Sequence, residues 1–212
     1  MQKKSFIRRM MIPVLLAAFG VTALAQEAKT INPDVSVVGL KLGERAAAKT
    51  FLDGFQPRQT ADGRPVYYFY NKNADQVLKL TAASFEDKYL LTEIEVYQVD
   101  ATYRMPHFQA EKISFFKTEK DIFVGYKQSK ASAITGIPNV DGKDMSGPKT
   151  IIRKIGEPTE RVENGKQLTL VYKLPGLSLA DEAGKTGRFV YTARYEFYDN
   201  RLQRFILKIS DQ

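Results

Sequence analysis

Apolar and polar positions along this chain change rhythm twice, each time from helix-like text to strand-like text. The first helix-like stretch, 44–52, is alanine-rich and is stopped by Gly54 and Pro57. Three strand-like runs follow at 65–70, 76–85 and 89–99, separated by polar turns at 71–75 and 86–88. In the third run Leu90, Ile94 and Val96 share one face while Glu93, Glu95 and Tyr97 share the other. The connections are short, which predicts antiparallel pairing with one buried and one wet face.

The same order of text returns within 122–158, where a short pattern is written twice. Ile122-Phe-Val-Gly125 leads to Ile134-Thr-Gly136-Ile-Pro138, and Met145-Ser146-Gly-Pro148 leads through Ile151, Ile152 and Ile155 to Gly156-Glu-Pro158. Each copy predicts a short helix with a marked stop. In the second, Ser146 is placed to accept the free amide hydrogens of the first turn, and Pro148 suits a position whose N–H has no partner. The isoleucines form a narrow stripe that must lie on something apolar. Strand text resumes after Pro158. A turn at Asn164-Gly165 precedes 168–172, residues 188–198 alternate with a strict period of two, and Asp199-Asn200 turns the chain into 202–210. There Phe205, Leu207 and Ile209 face one way and Arg204, Ile206 and Lys208 the other. Between the first two of these runs, 176–187 reads as a long loop.

These patterns predict an α+β fold of tandem helix-then-antiparallel-sheet repeats, in two layers, with short helices packed on one sheet face. The expected organisation is a first repeat at 35–99, a connector at 100–121 and a second repeat at 122–212. Residues 26–34 form a polar, flexible terminus.

The first 25 residues stand outside this scheme. Lys3, Lys4, Arg8 and Arg9 precede an apolar run at 11–21 and a small-residue site, Ala23-Leu24-Ala25, the three parts of a secretory signal peptide cleaved after Ala25. The apolar run falls short of the roughly 20 residues that span a bilayer. The mature chain is therefore expected in the periplasm or outside the cell, with no stable membrane anchor. The leader holds four basic and no acidic residues, so the remaining 187 residues carry 28 basic against 24 acidic side chains. That balance argues against a nucleic-acid partner. The chain has no cysteine, so an exported form has no disulfide and relies on its core.

The short motifs Val37-Val38-Gly39-Leu40-Lys41-Leu42-Gly43 with Gly54 and Pro57, Ile122-Phe-Val-Gly125 with Gly136 and Pro138, and Met145-Ser-Gly-Pro148 with Gly156-Glu-Pro158 resemble those of the SmpA/OmlA-like small lipoproteins of the β-barrel assembly machinery. Their tandem arrangement is similar to the β-lactamase inhibitory proteins. The resemblance implies helices on an antiparallel sheet, no catalysis, and function through binding another protein. The leader lacks the lipid-modified cysteine of the first group, and the chain lacks the disulfides of the second, so it carries over no anchor and no site residues.

Candidate chemistry is sparse. Ser114-Phe-Phe-Lys117, Lys185-Thr-Gly187 and Tyr198-Asp-Asn200 copy the letters of the penicillin-recognising serine enzymes in the wrong order. Gly184-Lys185-Thr186 lacks the earlier glycine of a phosphate loop, since Leu179 stands there. His107 is the only histidine and lies in irregular text. Asp141 with Asp144, or Glu93 with Glu95, are the carboxylate pairs able to share a cation, without full calcium-loop spacing. No catalytic, cofactor or metal residues are assigned. Eleven tyrosines and thirteen phenylalanines exceed what one buried face needs, and Tyr67, Tyr97, Tyr195 and Arg204 are the candidates for a partner-binding surface. The expected function is non-catalytic binding of an envelope or secreted protein. The competing class is a small envelope hydrolase or glycan-processing enzyme, which needs two carboxylates converging about 5 to 9.5 Å apart.

Overall fold

A computed structural model describes residues 30–71, 74–99, 108–109, 113, 115–124, 146–180 and 186–212. Strands dominate it, at 52% against 11% helix, which overturns the expectation of α+β tandem repeats. One meander runs through β3 (Arg58–Gln59), β4 (Pro65–Asn71), β5 (Gln76–Ala82) and β6 (Leu91–Gln98). A second runs through β8 (Glu160–Asn164), β9 (Gln167–Ala180), β10 (Thr186–Tyr198) and β11 (Arg201–Asp211). They are not separate sheets. β6 pairs with β11, giving one antiparallel sheet in the order β3-β4-β5-β6-β11-β10-β9-β8, with β7 (Phe108–Gln109) added parallel beside β4.

The physical reason for the correction lies in strand edges and helix size. Among the described residues the helices are α1 (Ala46–Leu52) and α2 (Pro148–Ile155), of seven and eight residues. Neither is long enough to roof a sheet of its own. The last strand of each meander would also leave a row of unpaired main-chain groups. Each carries an apolar face, and their other faces match in charge, Glu93 standing opposite Lys208 in the ladder. Pairing the two edges satisfies both rows and merges the two apolar faces into one.

The merged face is the core. Register aligns Tyr67, Leu80, Ile94, Leu207, Ala193 and Tyr172 across six strands, and Phe69, Leu78, Val96, Phe205, Tyr195 and Leu170 in the next row. All are buried. Over this face lie α1, α2, the hairpin of β1 (Ser36–Val37) and β2 (Leu40–Lys41), and residues 115–124. Phe51 and Phe55 meet Phe69 edge-on at 4.9 and 5.1 Å. Phe116, from the stretch read as connector, and Ile122 and Val124, from the start of the expected second repeat, are buried in the same core. Gln76 anchors them, its side chain donating to the Val124 carbonyl and accepting from the Phe116 amide, both at 2.8 Å. Thus a polar residue inside a strand satisfies two main-chain groups 40 or more positions away.

Two glycines sit where a side chain would not fit. Gly43 has φ +77°, and a Cβ there would lie 3.3 Å from Leu179 and 3.4 Å from Ile209, so the start of α1 approaches the sheet at van der Waals limit. Gly156 has φ +112°, and a Cβ would come within 3.0 Å of the Thr30 carbonyl oxygen. Its own carbonyl accepts from the Tyr172 hydroxyl at 3.1 Å. Asp199 and Asn200 of the β10–β11 turn take positive φ instead (50° and 62°), as a two-residue hairpin of this kind requires.

Several local expectations change. Ser146 does not cap α2. Gly147 holds that position without a side-chain bond, and the Ser146 hydroxyl accepts the Phe123 amide at 3.1 Å. Of the isoleucine stripe, Ile151 and Ile155 are fully buried while Ile152 is only partly so. The predicted loop at 176–187 is mostly a hairpin arm, because β9 continues to Ala180 and β10 begins at Thr186. The helix expected between Ile122 and Pro138 falls largely on 125–138, outside the described residues, as do His107, Ser114, Asp141, Asp144 and Lys185.

The burial pattern orders the isoleucines of α2. Ile155→Ala should cost about 2–4 kcal/mol of unfolding free energy and Ile152→Ala clearly less, as measured by urea titration of the two variants. Gln76→Leu, of similar volume, should cost about 2 kcal/mol or more by leaving two buried main-chain groups unpaired. A cost below that of Ile152→Ala would contradict the bridging role.

Candidate binding face

The sheet's second face carries the polar positions of the alternation. Register places Lys79, Glu95, Ile206 and Arg194 in one row, Val77, Tyr97, Arg204 and Glu196 in the next, and Thr81, Glu93, Lys208 and Thr192 in a third. Because β6 and β11 are neighbours, residues more than a hundred positions apart become ion pairs. Glu95 accepts from Lys79 Nζ at 2.9 Å and from Arg204 Nε at 2.6 Å. Arg194 pairs with Glu196 at 2.7 Å, and Arg204 reaches Glu196 at 3.7 Å. Glu93 lies 3.7 Å from Lys79 and 3.9 Å from Lys208. Burial alone would lower the Lys79 ammonium's pKa, but its hydrogen bond to Glu95 and the charges of Glu95 and Glu93 outweigh that and hold it above its ordinary value.

The ladder is layered by sign. The Glu95 and Glu93 side chains are 5% and 14% exposed, whereas Arg204, Lys208 and Arg194 are 40%, 46% and 53% exposed. Carboxylates therefore form the floor and cationic tips the rim. Glu93 and Glu95, read as a possible cation site, have protein cations for partners instead. Among the described residues no group of three or more His, Cys, Asp or Glu is placed to hold a metal. Tyr198, at 52%, is an exposed aromatic at the β10 end of this face.

The four candidate residues divide by face. Tyr97 and Arg204 are direct register partners on the polar face. Tyr67 and Tyr195, 1% and 0% exposed, belong to the core and offer nothing to a partner. Their parity in the alternation is apolar, and the excess of aromatics is absorbed by a core wider than a single repeat would have. Tyr195 meets Tyr172 edge-on at 5.7 Å and Phe205 at 6.1 Å. Burial, then Tyr89 nearby, pushes the Tyr67 hydroxyl up to about 12. Nothing local in the sequence marks Lys79, Arg194 and Glu196 as members of this face. The alternation put Arg204 and Lys208 on one face of their strand, but only the β6–β11 register reveals the ladder.

A second polar cluster is enclosed in the core. Asp34 is fully buried, and Thr118 and the Ser36 amide lie near its carboxylate without either meeting full hydrogen-bonding geometry. The Tyr191 hydroxyl donates to the Asp34 main-chain carbonyl at 2.6 Å, and the Tyr195 hydroxyl lies buried beside that of Tyr191. Desolvation raises the Asp34 carboxyl to about 6. Thr118, the Ser36 amide and Lys120 soften the effect, while Glu119 adds to it.

No protein-family model, curated protein or solved structure matches the chain. The resemblance to SmpA/OmlA-like proteins and to the β-lactamase inhibitory proteins therefore rests on the short motifs alone.

The Asp34 environment predicts a pH signature. Its folded value lies above the unfolded one, so the folded chain binds the extra proton between about 4 and 6, and stability falls as pH rises through that window. Two pKa units correspond to about 3 kcal/mol at most. Asp34→Asn should therefore be more stable than the parent at pH 8 and nearly equal to it at pH 4. Urea unfolding at both pH values measures this, and a constant difference would show that Asp34 does not titrate in the fold.

Proposed function

We propose that this is a non-catalytic protein of the bacterial cell envelope, exported and released by cleavage after Ala25, that works by binding an acidic surface of another envelope or secreted protein. The contact surface is the β10–β11 part of the polar sheet face. The observation that carries the reading is the layering by sign, in which Arg194, Arg204 and Lys208 project beyond the carboxylates that hold them. Such pairing fixes long cationic side chains in position and so lowers the entropy lost on contact. Tyr198 beside them supplies the aromatic component common in binding surfaces. The family resemblance points to the same class of function, and the carboxylates of this face are engaged with lysine and arginine rather than free for acid–base work.

Affinity capture from envelope extract tests the proposal, comparing the mature chain with the double variant Arg194→Glu, Lys208→Glu. These rim positions are chosen because changing them does not strip Glu95 of its partners. One or a few acidic proteins should be retained by the parent, lost in the variant, and released by roughly 0.5 M salt. Equal retention by parent and variant, or turnover of an envelope polymer by the purified chain, would reject it.

A further inference from the structure

The sheet ends at β8, and that edge is unusual. All five residues of Glu160–Asn164 are exposed, and among the described residues no strand pairs with its outer side. Val162, at 49%, is one of the few large apolar side chains in the open. The β8–β9 hairpin has a two-residue turn, Gly165-Lys166, closed by the pair Asn164 and Gln167. In such hairpins the closing residues bond to each other, so Asn164, Val162 and Glu160 direct their main-chain groups inward. Arg161 and Glu163 consequently turn theirs outward.

We infer that β8 is a self-association edge, pairing antiparallel with β8 of a second copy of this chain about a two-fold axis at Val162. The sequence Glu-Arg-Val-Glu-Asn is self-complementary in that register. Arg161 stands opposite Glu163 of the second copy twice, Val162 opposite Val162, and Glu160 opposite Asn164. The outward amides and carbonyls of Arg161 and Glu163 meet as hydrogen-bonded pairs, so backbone and charge select the same alignment. The alternatives fail on charge: an axis at residue 161 sets arginine against arginine, and one at 163 sets glutamate against glutamate, each unfavourable. Charged edges ordinarily discourage strand addition. Here the charges discourage every strand except one of this pattern. Arg161 and Glu163 already pair within the strand, at 2.6 Å from Arg161 Nε, so association turns two local pairs into one alternating four-charge cluster. The result is one sheet continuous across both copies with the cores on the same side. This inference does not depend on the proposed partner-binding role of the polar face.

A five-residue edge gives a small interface, so a reversible dimer with a Kd on the order of 100 μM is expected. Sedimentation equilibrium of the exported protein from about 0.02 to 1 mM measures it. R161E should weaken association at least tenfold, and the swapped pair R161E/E163R should return to within about threefold of the parent, which a merely unfolded edge would not do. Circular dichroism confirms that each variant is folded. An independent arm uses the absence of cysteine from the chain. Residues opposite each other at the axis lie about 4.5 Å apart between Cα atoms, within disulfide range. V162C should therefore link into dimers under mild oxidation much faster than the control F85C. A monomer at 1 mM, association indifferent to R161E, a swap that does not restore it, or linkage of V162C no faster than of the control would each overturn the inference.

Discussion

Everything else in this molecule depends on the pairing of β6 with β11. It joins Ile94 to Leu207 and Val96 to Phe205 on the core side, and on the other side it brings Arg204 to Glu95. A three- or four-stranded meander roofed by one turn or two of helix buries little apolar surface, and a free inner edge would attract other chains. Joined, the two meanders share one core that α1, α2 and residues 115–124 are together large enough to cover. The helices are consequences of this seam more than organisers of it. Their residues are short, partly exposed stretches whose apolar stripes have meaning only once the merged face exists.

Asp34 and Glu95, the two buried carboxylates among the described residues, show how differently burial can be tolerated. Glu95 lies at the floor of the polar face with an arginine and a lysine within hydrogen-bonding distance, and its charge organises the rim around it. Asp34 lies in the core with no ion-pair partner, and the cost of desolvation, offset only in part by Thr118 and the Ser36 amide, appears as a carboxyl raised to about 6. A charge paired on both sides strengthens fixed geometry, whereas an unpaired one makes the fold respond to pH. These are separate functions of the same residue chemistry, set by neighbours contributed from distant parts of the chain. The polar face is the only one of the two open to another molecule, which is why a binding role is attached to it.

Much was legible in the residues themselves. Aromatic and β-forming composition marked β4 and β5, and period-two alternation marked β6, β10 and β11 and sorted Glu93, Glu95 and Tyr97 from Ile94 and Val96, because consecutive strand side chains must point to opposite faces. Asn164-Gly165 and Asp199-Asn200 marked hairpins, because Gly165, Asp199 and Asn200 accept cheaply the positive φ they take, although the first turn itself is Gly165-Lys166. Gly156 and Pro148 bounded α2 for similar local reasons. These are properties of a few adjacent residues, and they survive whatever the rest of the chain does.

What the tertiary structure alone decided concerns partners and therefore faces. Alternation reports that Tyr67 and Tyr195 sit on one side of their strands, but not that this side is sealed by elements from elsewhere. Nor does it report that Arg204 meets Glu95, since nothing local selects β6 as the neighbour of β11. The repeated order of helical and strand text read as two units for the same reason: the text records each strand's own preference and is silent on which edges will join. Edge pairing is a long-range choice, settled when two rows of unpaired main-chain groups and two apolar faces are satisfied at once. Ser146, which looked like a helix cap and instead holds the Phe123 amide, is the same lesson at the scale of one hydroxyl.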